Sequence, residues 1–446
     1  MRNSSHVVIV GAGLCGALLA CQLGERGFRV TVCERRPDPR ARGFLGGRSI
    51  NLALSCRGIT ALQSVGLADR VLEQAVRMAG RMMHDEAGEL TFQRYSSRDE
   101  DAINSISRGD LNLTLLNHAD TFDHVELRFG RKCVGVDFDK PAVTFATDDG
   151  ERETIAADAV IAADGAFSAV RYAMQKVDRF NYSQNYLPHG YKELSIPPRD
   201  GEFAMEPHAL HIWPRGTSMM IALPNADRSF TCTLFWPMEG PQSFQELRGD
   251  ADILPYFQEH FGDAAALMPT LVRDYQENPT SSLVTIRCGP WSHQNVLLIG
   301  DAAHAIVPFY GQGINAGFED CRLLCQLLDD DDDWQRTFER FYEQRKTDAE
   351  AIADMAIDNF VEMRDHVASP DFLLRKRIEH ALHSIDSEHY MPLYNRVSFT
   401  NEPYAEARQR GKDVIDLATE IRSRLDQTES HTWTREELEQ RVRWRL

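Results

Sequence analysis

His6-Val7-Val8-Ile9-Val10-Gly11-Ala12-Gly13-Leu14-Cys15-Gly16 stands near the start of the chain. Its first five residues are a short apolar strand, and Gly11 to Gly16 form a G-x-G-x-x-G turn. Ala17, Leu18, Leu19, Ala20 and Leu23 continue at helical spacing until Gly27. A second strand over residues 29–33 ends at Glu34, roughly 20 positions after Gly11. Gly11 permits a tight turn, Gly13 lets the backbone approach a pyrophosphate, and Gly16 lets the helix lie close to the strand. An acid at the end of the second strand is placed to bind a ribose. The stretch therefore predicts a dinucleotide-binding βαβ unit. Arg35 and Arg36 follow the acid and have two readings, a phosphate contact or a solvated loop.

A second stretch points the same way. Val296 to Ile299 is a short apolar strand that runs into Gly300-Asp301-Ala302-Ala303-His304. Pro308 stiffens the loop that follows, and Gly311 and Gly313 free it for unusual backbone angles. A helix begins at Ile314, with Ala316, Phe318, Leu323, Leu324 and Leu327 recurring at helical spacing. Loop N–H groups and a helix N-terminus suit an anion or an electron-rich ring edge.

The 446 residues are too many for one core, so two or three sub-domains are expected. Hydrophobic (43%) and charged (26%) fractions are those of a globular protein. A net charge of −18 argues against nucleic acid or an anionic membrane as partner. The nine cysteines are scattered, with no C-x-x-C pair, which reads as a reducing, cytoplasmic compartment. Cys321 and Cys325, one helical turn apart, read as core. No transmembrane run or signal peptide is expected. Asp329 to Asp333 reads as a solvated connector and not as a metal site, because consecutive acids point in different directions.

Between the two stretches the pattern changes to strands. Residues 47–55 alternate polar and apolar, and a helix starts over 57–62. Residues 76–95 hold two strand-like runs around Glu86-Ala87-Gly88, with Arg81 in the first and Tyr95 ending the second. A helix over 108–118 precedes segments 125–129, 133–138 and 143–146, which read as a β-meander. The strand 158–162 ends in Ala163-Asp164-Gly165-Ala166-Phe167-Ser168. Alternating runs fill 185–236, helices are expected in 241–262, and helices again beyond 335. This layout predicts a discontinuous nucleotide-binding domain (1–75, 104–180 and 285–330). It also predicts a substrate sheet domain (76–103 and 181–284) and a C-terminal helical region (331–446).

The three motifs at 11–16, 163–168 and 300–304 with its Pro308 loop stand in the order seen in the single-component FAD-dependent aromatic hydroxylases, which this chain resembles over roughly residues 6–330. The resemblance implies an α/β fold: a Rossmann-like FAD-binding domain, an inserted antiparallel β-sheet substrate domain and a C-terminal helical region. Longer strings resemble the branch of that family that hydroxylates L-kynurenine. They are Gly47 to Ser55, Gly80-Arg81-Met82-Met83-His84-Asp85, Ser107-Arg108-Gly109, Ala305 to Cys321 and Met391-Pro392-Leu393-Tyr394-Asn395-Arg396.

That resemblance implies tight, non-covalent FAD, NADPH as a transient co-substrate, O2 as oxidant and a C4a-hydroperoxyflavin as the hydroxylating species. Arg81 and Tyr95 would bind the substrate carboxylate, and Asn359 and Tyr394 would complete the polar end. Leu210, Met219, Ile221, Leu223 and Phe235 would line the ring pocket with Pro308, Phe309, Tyr310 and Met363. The cofactor would meet Gly11, Gly13, Gly16, Glu34, Arg35 and Arg36 at one end. Leu54, Arg108, Cys133, Asp164 and Gly165 would lie along it. Asp301, Gly311, Gln312, Gly313, Ile314 and Asn315 would face the ribityl chain and ring. Tyr310 departs from the Phe or His expected in relatives, which leaves the pocket depth open. The membrane-anchoring segment of eukaryotic relatives is absent, so the resemblance implies a form without membrane attachment, like those of bacteria.

Without the resemblance the residues have plainer readings. Arg81 would be a surface strand arginine. Met219, Ile221 and Leu223 share one strand face, as core residues do. His304 reads as structural. No Ser/His/Asp or Cys/His group asks to be catalytic, which suits chemistry carried by a cofactor. Two other functions stay open: a hydroxylase for another aromatic acid, and a non-catalytic flavin-binding redox sensor. Residues 400–446 read either as a helical cap or as an oligomer contact, a homodimer being the assembly to test.

Overall fold

The computed structural model describes residues 5–42, 51–96, 98–247, 249–365, 370–425 and 433–446. Residues 47–50 of the expected strand and the Met363 side chain lie outside the described residues.

His6–Val10 is the middle of a six-stranded sheet, and all five of its residues are buried. A strand covered on both faces must be continuously apolar, and this one nearly is. Val7 pairs in parallel with Val30 of Arg29–Glu34 on one side and with Ala159 of Ala159–Ala162 on the other. Val125–Phe129 and Val296–Leu298 extend the parallel sheet at its two sides. Ser292–His293 closes it as a short antiparallel edge. The helix Leu14–Glu25 packs against both Arg108–Ala119 and Gly313–Asp330. Both sequence motifs therefore open their helices at one end of this sheet, where the strand ends leave a crevice.

Val125–Phe129 is a correction. It was expected in a meander with the two segments after it, yet it pairs in parallel with Arg29–Glu34. Lys132–Asp137 and Ala142–Ala146 form their antiparallel sheet with Arg152–Ala156 instead. A strand reached through a helix, here Arg108–Ala119, is the usual parallel neighbour, and alternation alone does not say which sheet a strand joins.

The second large sheet has seven strands in the order Ser281–Gly289, Asn181–Ile196, Phe230–Pro237, Ser218–Pro224, Ala209–Arg215, Gly80–His84, Leu90–Arg94. It is antiparallel except where Gly80–His84 runs parallel to Ala209–Arg215. Two expected limits shift. Ser281–Gly289 belongs wholly to this sheet, beyond the limit at 285. Val76–Met78 pairs with Ile103–Ser107 in a small sheet with Asn51–Leu54, so residues 76–95 hold three strands and not two. Helices in the region expected at 241–262 begin only at Asp250–His260.

One face of the seven-stranded sheet, with Trp213, Leu234 and Trp236, packs on Asp250–His260, Gly262–Ala265 and Leu271–Glu277. The other face meets the Pro308–Tyr310 turn and the C-terminal helices. The long helix Trp334–Asp365 is fixed to the Gly313–Asp330 helix by buried charges. Arg345 contacts Asp320 at 2.9 Å and Glu319 at 3.0 Å. Arg57 pairs with Glu319 at 3.3 Å and donates to the carbonyl oxygens of Val397 and Glu402. Tyr404, at the start of Tyr404–Ser423, covers the Arg57 guanidinium at 3.9 Å. Within the connector, Asp329 is exposed and pairs with Arg26 at 2.8 Å. Cys321 and Cys325 are buried core residues outside any disulfide.

Candidate active site

The nucleotide end is built by the glycines. Gly11 has φ +100°, and a Cβ there would lie 2.6 Å from the Ala163 carbonyl oxygen. A Cβ on Gly16 would lie 2.0 Å from the Gly11 carbonyl oxygen. Both positions therefore exclude a side chain. A Cβ on Gly13 would meet nothing within 4 Å, so the turn opens there onto a cleft. Glu34, Arg36, Arg108 and Asn112 line that cleft. The Glu34 carboxylate accepts from Ala12 N at 2.9 Å and Arg36 N at 3.0 Å, which fixes its direction. Arg35 is exposed and is not among the lining residues.

Farther along, Asp164 Oδ2 accepts from Ala169 N at 2.7 Å, while its Oδ1 is buried with no hydrogen-bond partner. Burial raises the pKa of this carboxyl. An unpaired buried acceptor costs free energy until a donor arrives. Gly165 follows with φ +85°, and Cys133 lies near enough to feel the Asp164 charge, its thiol pushed up to about 12 mainly by burial. Leu54 is fully buried and packs beside Gly58. Asp301 is exposed at the start of Asp301–His304. The open cradle at Gly13 and the orphaned Asp164 oxygen fit FAD laid across the strand ends.

The ring-facing loop is held from behind. Gly311 takes the left-handed conformation at φ 69° after the Pro308–Tyr310 turn. Asn315 Oδ1 accepts from Ser55 N at 2.9 Å, and its Nδ2 donates to Ala53 O at 2.9 Å and Gly311 O at 3.0 Å. Gln312 donates to Ser55 Oγ at 3.3 Å and accepts from the Tyr404 hydroxyl at 2.9 Å. Both side chains are thus turned into the protein. Any contact of Gln312 and Asn315 with a cofactor is left to their backbones, beside the partly exposed Gly311, Gly313 and Ile314. His304 Nε2 meets Asp320 Oδ2 at 2.5 Å in the core, a structural position.

The substrate end gathers the predicted residues closely. Leu210, Met219, Ile221, Phe235, Phe309, Tyr310 and Tyr394 share one apolar cluster. Leu223 and Tyr95 belong to an adjoining one that also touches Leu210, Ile221 and Tyr394. Phe235 and Phe309 lie 4.8 Å apart, and Phe360, which its spacing marked only as helical core, lies 4.5 Å from Phe309. Pro308 is exposed at the rim. Asn359 Nδ2 donates to Phe309 O at 2.7 Å, so it holds the aromatic wall.

Three tyrosines and one arginine form that polar end. Tyr394 stacks on Tyr95 at 5.3 Å and on Tyr310 at 5.6 Å. The Arg81 guanidinium lies over Tyr394 at 4.6 Å and over Tyr95 at 5.5 Å. Arg81 Nε and the Tyr95 hydroxyl are buried without a hydrogen-bond partner. Among the described residues no carboxylate pairs with Arg81. Burial holds the Tyr95 and Tyr310 phenols well above their usual pKa, so both remain O–H groups. A desolvated cation beside an unused phenol is a socket for an anion.

A Rossmann-type crevice, a nucleotide cleft and an apolar cluster packed on the Pro308–Tyr310 turn are the parts of a flavoprotein, and a family profile described as "FAD binding domain" matches residues 4–331. The chain belongs to that family and, within it, to the kynurenine 3-monooxygenases. The kynurenine 3-monooxygenase of Myxococcus xanthus is 47% identical over 95% of this chain and 92% of its own. Those of Dictyostelium discoideum (45%, over 93% and 92%) and Sus scrofa (42%, over 93% and 88%) are similar along nearly their whole length. Solved structures share the fold at lower identity. A tetrameric 2-methyl-3-hydroxypyridine-5-carboxylic acid oxygenase superposes with TM-score 0.68 at 19% identity, over 83% of this chain and 95% of its own. The p-nitrophenol 4-monooxygenase of Pseudomonas putida gives 0.66 at 19%, over 94% and 97%.

Proposed function

We propose that this protein hydroxylates the ring of L-kynurenine to give 3-hydroxykynurenine, with NADPH and O2 as co-substrates, in the cytoplasm. The observation that carries the reading is the Arg81 socket. Its Nε and the Tyr95 hydroxyl stand buried without a hydrogen-bond partner beside a cluster of apolar and aromatic side chains. An aromatic amino acid supplies what both halves lack, a carboxylate and a flat ring.

FAD, when bound, takes hydride from NADPH and activates O2. The chain's own residues do the rest. Arg81 and Tyr95 hold the carboxylate by charge-assisted hydrogen bonds. Phe235, Phe309, Met219 and Ile221 hold the ring in one plane, so that its reacting carbon faces the crevice. The aniline nitrogen of the substrate already activates the carbon ortho to it, so no strong base is needed. The same apolar wall keeps water from the reacting atoms, which protects against futile loss of the activated oxygen.

The test is NADPH consumption with and without L-kynurenine, with the product weighed by mass spectrometry. L-Kynurenine should accelerate consumption and gain one oxygen atom. An NADPH oxidation indifferent to L-kynurenine, with no gain of oxygen, would sink the reading.

A further inference from the structure

The string Gly80-Arg81-Met82-Met83-His84-Asp85 gives Arg81 to the pocket and leaves His84 without a task. His84 lies three residues along the same strand, so its side chain leaves the opposite face of the sheet. There it is 3% exposed and starts a line of contacts that crosses the packing between the sheet and its covering helices. Asp263 Oδ2 meets His84 Nδ1 at 2.6 Å. His84 Nε2 meets His211 Nδ1 at 2.8 Å. His211 Nε2 meets the Glu206 carbonyl oxygen at 2.8 Å.

Counting protons along this line gives its charge. A carboxylate and a carbonyl stand at the two ends, and neither can donate. Each of the three contacts needs one proton, and the four ring nitrogens must carry them. Two neutral imidazoles carry only two. The pair therefore holds one extra proton and is a single cation facing one carboxylate.

The surroundings agree on where the charges sit. Asp263 also accepts from Trp213 Nε1 at 3.0 Å. Burial opposes its ionisation, but the hydrogen bonds from His84 and Trp213 outweigh that and hold the carboxyl below its usual value. Burial pushes His211 down to about 4, which makes it the neutral member, with its proton on Nε2. His84 is then the imidazolium, and its ring stacks on Trp213 at 4.0 Å, a favourable place for a cation. Arg215 donates to the His84 carbonyl at 2.9 Å and to the Asp85 carbonyl at 2.8 Å, and feels the charges of Asp85, Glu86 and Asp263. Glu206 is the acid nearest the far end, and the Phe230 ring lies edge-on to His211.

We propose that Asp263, the protonated His84–His211 pair and Trp213 form a clamp that positions Arg81 for the substrate carboxylate. The strand Gly80–His84 needs such a clamp. Its outer neighbour Leu90–Arg94 is exposed at all five residues and contributes little burial. Beyond its backbone pairing with Ala209–Arg215, two side-chain hydrogen bonds of His84 tie the strand to that neighbour and to the helix Gly262–Ala265. Without the shared proton, one contact would be left with two acceptors face to face. The strand then loosens and Arg81 loses its aim, while the crevice is untouched. The inference rests on Arg81 as the carboxylate anchor.

Nitrogen-15 NMR of the wild-type holoenzyme labelled at histidine reads the proton count directly, with His84→Gln and His211→Gln spectra assigning the signals. At neutral pH both His84 ring nitrogens should carry protons and His211 only Nε2. Two neutral rings would overturn the clamp, and this readout needs no variant to be active. Asp263→Asn should raise KM for L-kynurenine by roughly tenfold or more with kcat nearly unchanged. A variant with wild-type KM would also overturn it. A wild-type enzyme that does not bind L-kynurenine brings down the substrate reading instead, and does so before any variant is made.

Discussion

At the scale of single residues, Arg81 is the group on which the proposed substrate choice turns. It is a cation held over Tyr394, and among the described residues no acid pairs with it, which leaves it open to a carboxylate from outside. Arg81→Ala should weaken L-kynurenine binding by about 2–5 kcal/mol, roughly 30-fold to several thousand-fold, with FAD content unchanged. Tyr95→Phe removes one neutral donor and keeps the stack on Tyr394, so it should cost only about 0.5–1.5 kcal/mol. Titrating L-kynurenine into each variant and following flavin absorbance measures both. Equal losses in the two variants would contradict the division of labour. Little of this was legible from position 81 alone, since an arginine in an alternating strand is ordinarily solvated. What the local sequence lacked was the ring that the guanidinium lies over. Tyr394 comes from a helix more than 300 residues away, and no local pattern pairs it with Arg81.

The element that joins the two halves of the site is the turn and helix from Pro308 to Asp330. Its backbone faces the crevice because its side chains are turned the other way. Asn315→Ala deletes three buried hydrogen bonds at once and leaves the Ser55 N–H unpaired. The expected loss is about 1–3 kcal/mol in stability, seen as a lower Tm, together with faster loss of FAD on dilution. A variant as stable and as yellow as the wild type would show that the backbone holds its own shape. The strand–loop–helix order here was plain in the sequence, because Pro and Gly punctuate it and the apolar spacing changes from strand to helix. The inward direction of Gln312 and Asn315 was not, because polar residues beside glycines read equally well as cofactor ligands. Val125–Phe129 failed for a related reason: alternation specifies a strand and not its neighbours.

For the molecule as a whole, buried charge does the joining. Arg345 sits 1% exposed in side chain between Glu319 and Asp320, linking the crevice to the C-terminal helices. Burial alone would favour a neutral Asp320, yet His304 and Arg345 hold its pKa below the usual value. Arg345→Met would remove the cation shared by Glu319 and Asp320, leaving Arg57 and His304 to hold them alone, and should cost about 3–5 kcal/mol; an unchanged denaturation midpoint would argue that the cluster is replaceable. Acid sensitivity follows from His211. Its folded pKa is about 4 because burial disfavours the charged ring, against about 6.5 in an unfolded chain. The unfolded chain therefore takes the proton first, and stability falls as pH drops from about 6.5 towards 4. The contribution lost is roughly 3 kcal/mol, and His211→Gln should unfold at lower pH than its wild-type midpoint would suggest. At this scale the sequence was most legible: three motifs in order implied the interrupted α/β layout, and the interruption is what the two large sheets display.

That interruption has a cost during synthesis. Ala159–Ala162 can pair with His6–Val10 as soon as it leaves the ribosome, but its other edge waits for Val296–Leu298, about 130 residues later. At typical elongation rates the wait lasts on the order of 10 s. For that time the nascent chain carries an open, apolar strand edge of the kind that recruits other chains. Yield in a heterologous host should therefore respond to slower growth temperature and to chaperone supply more than to any change in the finished protein's stability.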